Sequence, residues 1–140
     1  MTISPPGRPT LCVIDHGALR WNLKQLRALV GPGVKILSMV KANAYGHGAV
    51  AVAKTLAAAG SNAFGVATLE EGIELRQARL KQPILVLAGL YVEQLPQLLK
   101  RRLTPVVHEV ANLRALDKRL QQLKAILPVE IEVDTGMGRI

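Results

Sequence analysis

The stretch VKANAYGHG (residues 40–48) sets a lysine, a tyrosine and a histidine among small residues. Lys41 follows the apolar run KILSMV and so stands where a strand would end. An ammonium is costly to bury, but a lysine whose pKa is lowered by desolvation or a neighbouring cation becomes a nucleophile towards carbonyl carbon. Gly46 and Gly48 let the backbone turn sharply after it. Tyr45 could donate its phenolic O–H to an anionic oxygen, and Asn43 and His47 could hold the loop by hydrogen bonds. Taken singly, each has a plainer use: Lys41 as a strand-end lysine reaching solvent, Tyr45 as rim packing, His47 as a helix N-cap or a support behind the site. The loop is neither a GxxxxGK[ST] phosphate loop nor a GxGxxG dinucleotide fingerprint.

The elements that position Lys41 follow from hydrophobic patterning. LCVID (11–15) is expected as a short strand, with Asp15 the N-cap of a helix running to about Val30. Leu19, Leu23, Leu26 and Val30 form its stripe, and Gly31-Pro32-Gly33 stops it. Strands are then expected at 34–40, 62–67, 83–89, 103–108 and 129–134, and helices at 48–60, 68–80, 92–102 and 109–127. Thr68 with Glu71 three residues on has capping-box spacing, and Pro96 weakens the helix around it. Strands alternating with helices mean βα units and a mostly parallel sheet, with strands apolar on both faces. Five such strands could complete a doubly wound sheet but not a (β/α)8 barrel, which needs roughly 250 residues. In either case reactive groups gather at the C-terminal edge of the sheet, where Lys41 falls.

With 140 residues, 49% hydrophobic and 20% charged, the chain is expected to bury one core. Residues 1–10 read as a flexible N-terminus and 11–140 as one unit. The net charge of +8 comes from Lys and Arg scattered along the expected helix faces. The tightest run, Lys100-Arg101-Arg102, has no aromatic residue beside it for base stacking, so solvated faces are expected and a nucleic-acid partner is not. A single cysteine, Cys12, excludes an internal disulfide and fits a reducing compartment. MTISPPGRPT lacks the apolar core of a signal peptide, and no run of 18 apolar residues occurs, so the expected location is the cytoplasm and not a membrane.

The chief use of a lysine at such an edge is a Schiff base with a carbonyl, above all that of pyridoxal 5'-phosphate. VKANAYGHG resembles the attachment motif for that cofactor in alanine racemases, a fold type III family. DTGMGRI (134–140) resembles the family's second signature, and IDHGALRWNLKQLR (14–27), FGVATLEEGIELR (64–76) and PILVLAG (83–89) are similar to its other segments, in the same order. The resemblance runs from about Leu11 to Ile140. It implies a partial (β/α)8 TIM barrel, roughly the first five strands, preceded by an N-terminal strand and helix. It also implies interconversion of L- and D-alanine, supplying D-alanine for peptidoglycan, in a homodimer.

Residue by residue, the resemblance makes Lys41 the Schiff-base lysine and the base on the D-alanine face. Tyr45 becomes a ligand of the cofactor phosphate. Arg139 would contact the cofactor's phenolic oxygen and help bind the substrate carboxylate. Many members carry a carbamylated lysine two residues before the signature Asp, where this chain has Glu132; the expectation is that Glu132 supplies the anion that orients Arg139. The family's second base, a tyrosine of the partner's C-terminal domain, has no match here, since Tyr91 stands in no recognisable signature. The chain is therefore expected to hold the N-terminal part of the barrel domain, without the later strands and the C-terminal β-domain, and to be inactive alone. The alternative is a non-catalytic barrel that binds the same cofactor for its homeostasis. AYGHG and DTGMGR in this form favour the racemase over it and over a fold type III decarboxylase.

Overall fold

The computed structural model describes residues 10–138. The expected flexible N-terminus and Arg139 therefore fall, all but Thr10, outside the described residues. Asp15 Oδ1 accepts the backbone N–H groups of Gly17 (2.7 Å) and Ala18 (3.1 Å) and so starts α1 (His16–Val30). Gly31, at φ 80°, ends it. Of its stripe Leu23 is buried and Leu19 half-buried, whereas Leu26 and Val30 face solvent. Residues 11–15 form no strand, contrary to expectation. Their backbone has no neighbouring strand among the described residues with which to exchange hydrogen bonds, and apolar alternation alone cannot make one.

Five strands form one parallel sheet: β1 (Leu37–Met39), β2 (Ala63–Val66), β3 (Ile84–Val86), β4 (Thr104–Val107) and β5 (Glu130–Ile131). Each pairs with the next in sequence, with Met39 opposite Gly65, Val66 opposite Val86, Val86 opposite Pro105 and Val107 opposite Ile131. A doubly wound sheet would reverse its strand order at a switch point; this one never does, and that is the winding of a barrel. Between the strands lie a five-residue turn, α2 (Lys41–Tyr45), and the helices α3 (Ala49–Ala58), α4 (Leu69–Gln77), α5 (Leu95–Arg101) and α6 (Val110–Leu123).

The strands are shorter than the runs expected for them, most of all β1 and β3 at three residues each and β5 at two. Pro96 does not weaken a helix interior. It stands in the first turn of α5, after a 3-10 turn at Val92–Gln94, where a missing N–H breaks no intrahelical bond. Phe64, Val66, Ile84 and Val86 of the strands are buried against Val52 and Ala53 of α3, Leu75 of α4, Leu95 and Leu98 of α5, and Leu116 of α6. Each large side chain so buried contributes about 1.5–3 kcal/mol. Gly72 lets α4 approach closely, since a Cβ there would lie 3.0 Å from a Leu103 methyl carbon.

The basic residues are less scattered than the sequence suggests. Arg76, Lys81, Lys100, Arg101 and Arg102 line one cleft of about 690 Å³ at the N-terminal edge of the sheet. The Arg76 guanidinium donates to the carbonyls of Leu80 (2.8 Å), Gln82 (2.7 Å), Arg101 (2.9 Å) and Arg102 (2.8 Å), tying α4 to the end of α5. Burial, and secondarily the charge of Arg102, lower its pKa. No helix among the described residues is long and apolar enough to cross a membrane.

Candidate active site at the strand ends

The Val40 N–H bonds to the Gly65 carbonyl (2.9 Å), carrying the β1–β2 ladder one residue on, and Lys41 is the next residue. The chain then does something no right-handed element does. Ala42, Asn43, Ala44 and Tyr45 have φ of 51°, 55°, 52° and 54°, a turn of left-handed helix. It is bonded within itself, Ala44 N–H to Val40 O (2.9 Å) and Gly46 N–H to Ala42 O (3.1 Å). Left-handed backbone costs an L-residue about 1–2 kcal/mol, and only Asn43 among the four adopts it with relative ease.

Side chains from both ends of the turn offset that cost. Asn43 Oδ1 accepts the Ala49 N–H (2.8 Å) at the start of α3. His47 Nδ1 is 2.9 Å from the Ala44 carbonyl and 3.2 Å from that of Tyr45, so its N–H holds the turn's last carbonyls. The residue before α3 is Gly48, at φ 89°, and His47 is not its N-cap. From α4, Glu71 Oε1 accepts the Ala42 N–H (2.6 Å), while Oε2 accepts those of Ala67 (2.6 Å) and Thr68 (3.3 Å). The Thr68 hydroxyl accepts the Glu71 N–H (3.4 Å), completing the expected capping box.

Lys41, Tyr45 and Glu132 line one cleft of about 410 Å³, with Met39, Leu87 and Val106. These residues come from β1, the turn after it, the end of β3, β4 and the end of β5, all at the C-terminal edge. Lys41 and Glu132 are half-buried and Tyr45 is exposed. The Glu132 N–H bonds to the Val107 carbonyl (3.0 Å), which fixes its backbone beside β4. The DTGMG segment is looped by its own acid: Asp134 Oδ1 accepts from Gly136 N–H (2.9 Å) and Gly138 N–H (3.1 Å). Those bonds hold the Asp134 pKa below the usual carboxylate value. The cleft's volume suits a small molecule. Its walls offer an apolar floor, an amine, a phenol and a carboxylate.

An open, singly wound α/β half-barrel with a lysine at the C-terminal end of its first strand defines the class. Residues 14–140 match the family model described as alanine racemase, N-terminal domain, and the chain belongs to that family. The alanine racemase of Halothermothrix orenii is 44% identical over 133 residues, which is 95% of this chain and 35% of that protein. That of Synechocystis is 42% identical over 128 residues, which is 91% of this chain and 34% of that protein. The chain thus spans about a third of the curated relatives it matches. Among solved structures, alanine racemase of Clostridium difficile superposes with a TM-score of 0.82 at 36% identity, over 87% of this chain and 32% of that one. Alanine racemase from Bartonella henselae with covalently bound pyridoxal phosphate gives 0.80 at 30% identity, over 90% and 35%. The five-stranded sheet corresponds to the N-terminal part of that TIM-barrel fold.

Sequence reasoning missed four residues. Met39, Leu87 and Val106 read as ordinary strand residues, and only their place at strand ends marks them. Glu71 read as a helix cap, and nothing local announces its second bond to Ala42.

Proposed function

We propose that the chain supplies the lysine-bearing half-site of a pyridoxal phosphate-dependent alanine racemase. The observation that carries this is Lys41, Tyr45 and Glu132 on one cleft over an apolar floor, in a chain of the alanine racemase family. The donor set fits the cofactor: an amine for its aldehyde, a phenol for its phosphate, and Met39, Leu87 and Val106 for its ring. When bound, pyridoxal phosphate withdraws electrons from an amino acid and acidifies its α-hydrogen.

Lys41 first holds the cofactor and, once the substrate has taken its place, moves a proton at the α-carbon on the D-alanine face. Tyr45 donates to phosphate. Glu132 is the anion that orients Arg139, whose planar fork suits the substrate carboxylate. Racemisation needs a second proton carrier on the opposite face, and this reading assigns it to a partner subunit of a homodimer. The chain alone is thus expected to bind cofactor and exchange one face without inverting alanine. In the whole enzyme the D-alanine would serve peptidoglycan synthesis in the cytoplasm.

The test is α-proton exchange in D2O with the chain and pyridoxal phosphate, followed by NMR. D-alanine should lose its α-proton signal faster than L-alanine, and Lys41→Ala should abolish the difference. Equal exchange of both enantiomers, unchanged by Lys41→Ala, would mean chemistry of free cofactor and would sink the proposal.

A further inference from the structure

A capping box needs Glu71 to reach back to the N-cap, and the Thr68 N–H is there at 3.3 Å. Yet the two shortest bonds of this carboxylate, both 2.6 Å, go outside the box, to Ala67 and to Ala42. Ala42 lies on another element, 29 residues away, directly after Lys41. The N-terminal N–H groups of a helical turn lack partners within it, whatever its hand. Glu71 therefore caps two turns of opposite hand, the right-handed α4 and the left-handed turn that begins at Ala42, directly after Lys41.

Both Glu71 oxygens accept, and a glutamine has one acceptor oxygen and would set its NH2 against an N–H. The peptide is planar, so holding the Ala42 N–H fixes the plane after Lys41, while the Val40 N–H bond to the Gly65 carbonyl holds the chain before it; between them they restrict the direction in which the Lys41 side chain leaves the strand. We infer that Glu71 is a positioning residue: its carboxylate aims Lys41 into the cleft by clamping the first N–H of the left-handed turn. This rests on the reading of Lys41 as the cofactor lysine.

The test compares Glu71→Gln with Thr68→Ala. Thr68→Ala removes the hydroxyl of the capping box and leaves the Glu71–Ala42 bond. Two readouts are needed, amide exchange at Ala42 by NMR and the share of pyridoxyl label on Lys41 after borohydride reduction. Glu71→Gln should speed Ala42 exchange by about tenfold to a hundredfold, as expected for loss of a bond to a charged acceptor. It should also spread the label over other lysines, while Thr68→Ala preserves both readouts. Equal effects from the two variants would mean helix capping alone and overturn the inference, as would unchanged Ala42 exchange in Glu71→Gln. If Glu71→Gln does not fold, the unaltered protein decides: Ala42 should exchange as slowly as Ala67, and free exchange at Ala42 overturns the clamp. Unaltered protein that fails to label Lys41 would instead sink the functional reading, and the exchange data would still judge the clamp.

Discussion

Tyr45 faces solvent on the rim of the cleft that Lys41 and Glu132 share, so its hydroxyl is available to a phosphate without disturbing the core. Tyr45→Phe should leave the melting temperature unchanged and weaken cofactor binding about tenfold, measured by equilibrium titration, as expected for one lost bond to a charged group. Unchanged affinity would remove Tyr45 from the phosphate site. Lys41 and Tyr45 were legible because a nine-residue motif holds them, and Glu132 because its place before DTGMGR marked a departure from the family. Leu87, Val106 and Glu71 were not legible, since what brings them to Lys41 is the pairing of strands far apart in sequence. Asp134 adds a pH test. Its bonds to Gly136 and Gly138 depress its pKa from 3.8, so the loop is fully held above that value and loosens as pH falls through the lower, folded pKa. Protection of the Gly136 and Gly138 amides, measured against their intrinsic exchange at each pH, should fall in that window, and Asp134→Asn should weaken the window's effect.

Helices were readable from caps and stripes. Asp15 and Thr68 sit where expected, because capping is local chemistry. The left-handed turn was not readable, since Ala42, Ala44 and Tyr45 have no preference for positive φ. Bonds from Glu71 of α4, from His47 just after the turn and from Asn43 within it to the start of α3 hold it in place. The same dependence on neighbours governs the cleft's floor. Gly65 stands opposite Met39, and a Cβ there would overlap the Met39 sulfur. Gly65→Ala should therefore displace Met39 and reduce cofactor affinity more than it reduces stability. Affinity and urea midpoint measured on one preparation would show this, and equal losses in both would contradict it. Thr68→Ala, away from the cleft, should cost about 1 kcal/mol of stability in urea denaturation.

The sheet is open among the described residues, with β1 and β5 each paired on one side and Ile131 and Val133 exposed at the second edge. Closing a barrel would bury such edges. Barrel and doubly wound sheet could not be told apart by counting strands, because parallel strands carry the same apolar pattern in both; the unbroken order β1 to β5 is what separates them. The charge distribution was only half legible, as the fold collects five basic side chains from three segments into one cleft. Their mutual repulsion predicts a melting temperature that rises with added sodium chloride, whereas a fall would point to attractive pairs dominating. The central claim is that Lys41 is the cofactor's lysine. It is tested most directly by adding pyridoxal phosphate to the protein, reducing with borohydride and mapping the pyridoxyl group by peptide mass spectrometry. The account predicts label concentrated on the peptide containing Lys41, well above the share of any other lysine. Label spread evenly over the lysines, or absent from that peptide, would contradict it.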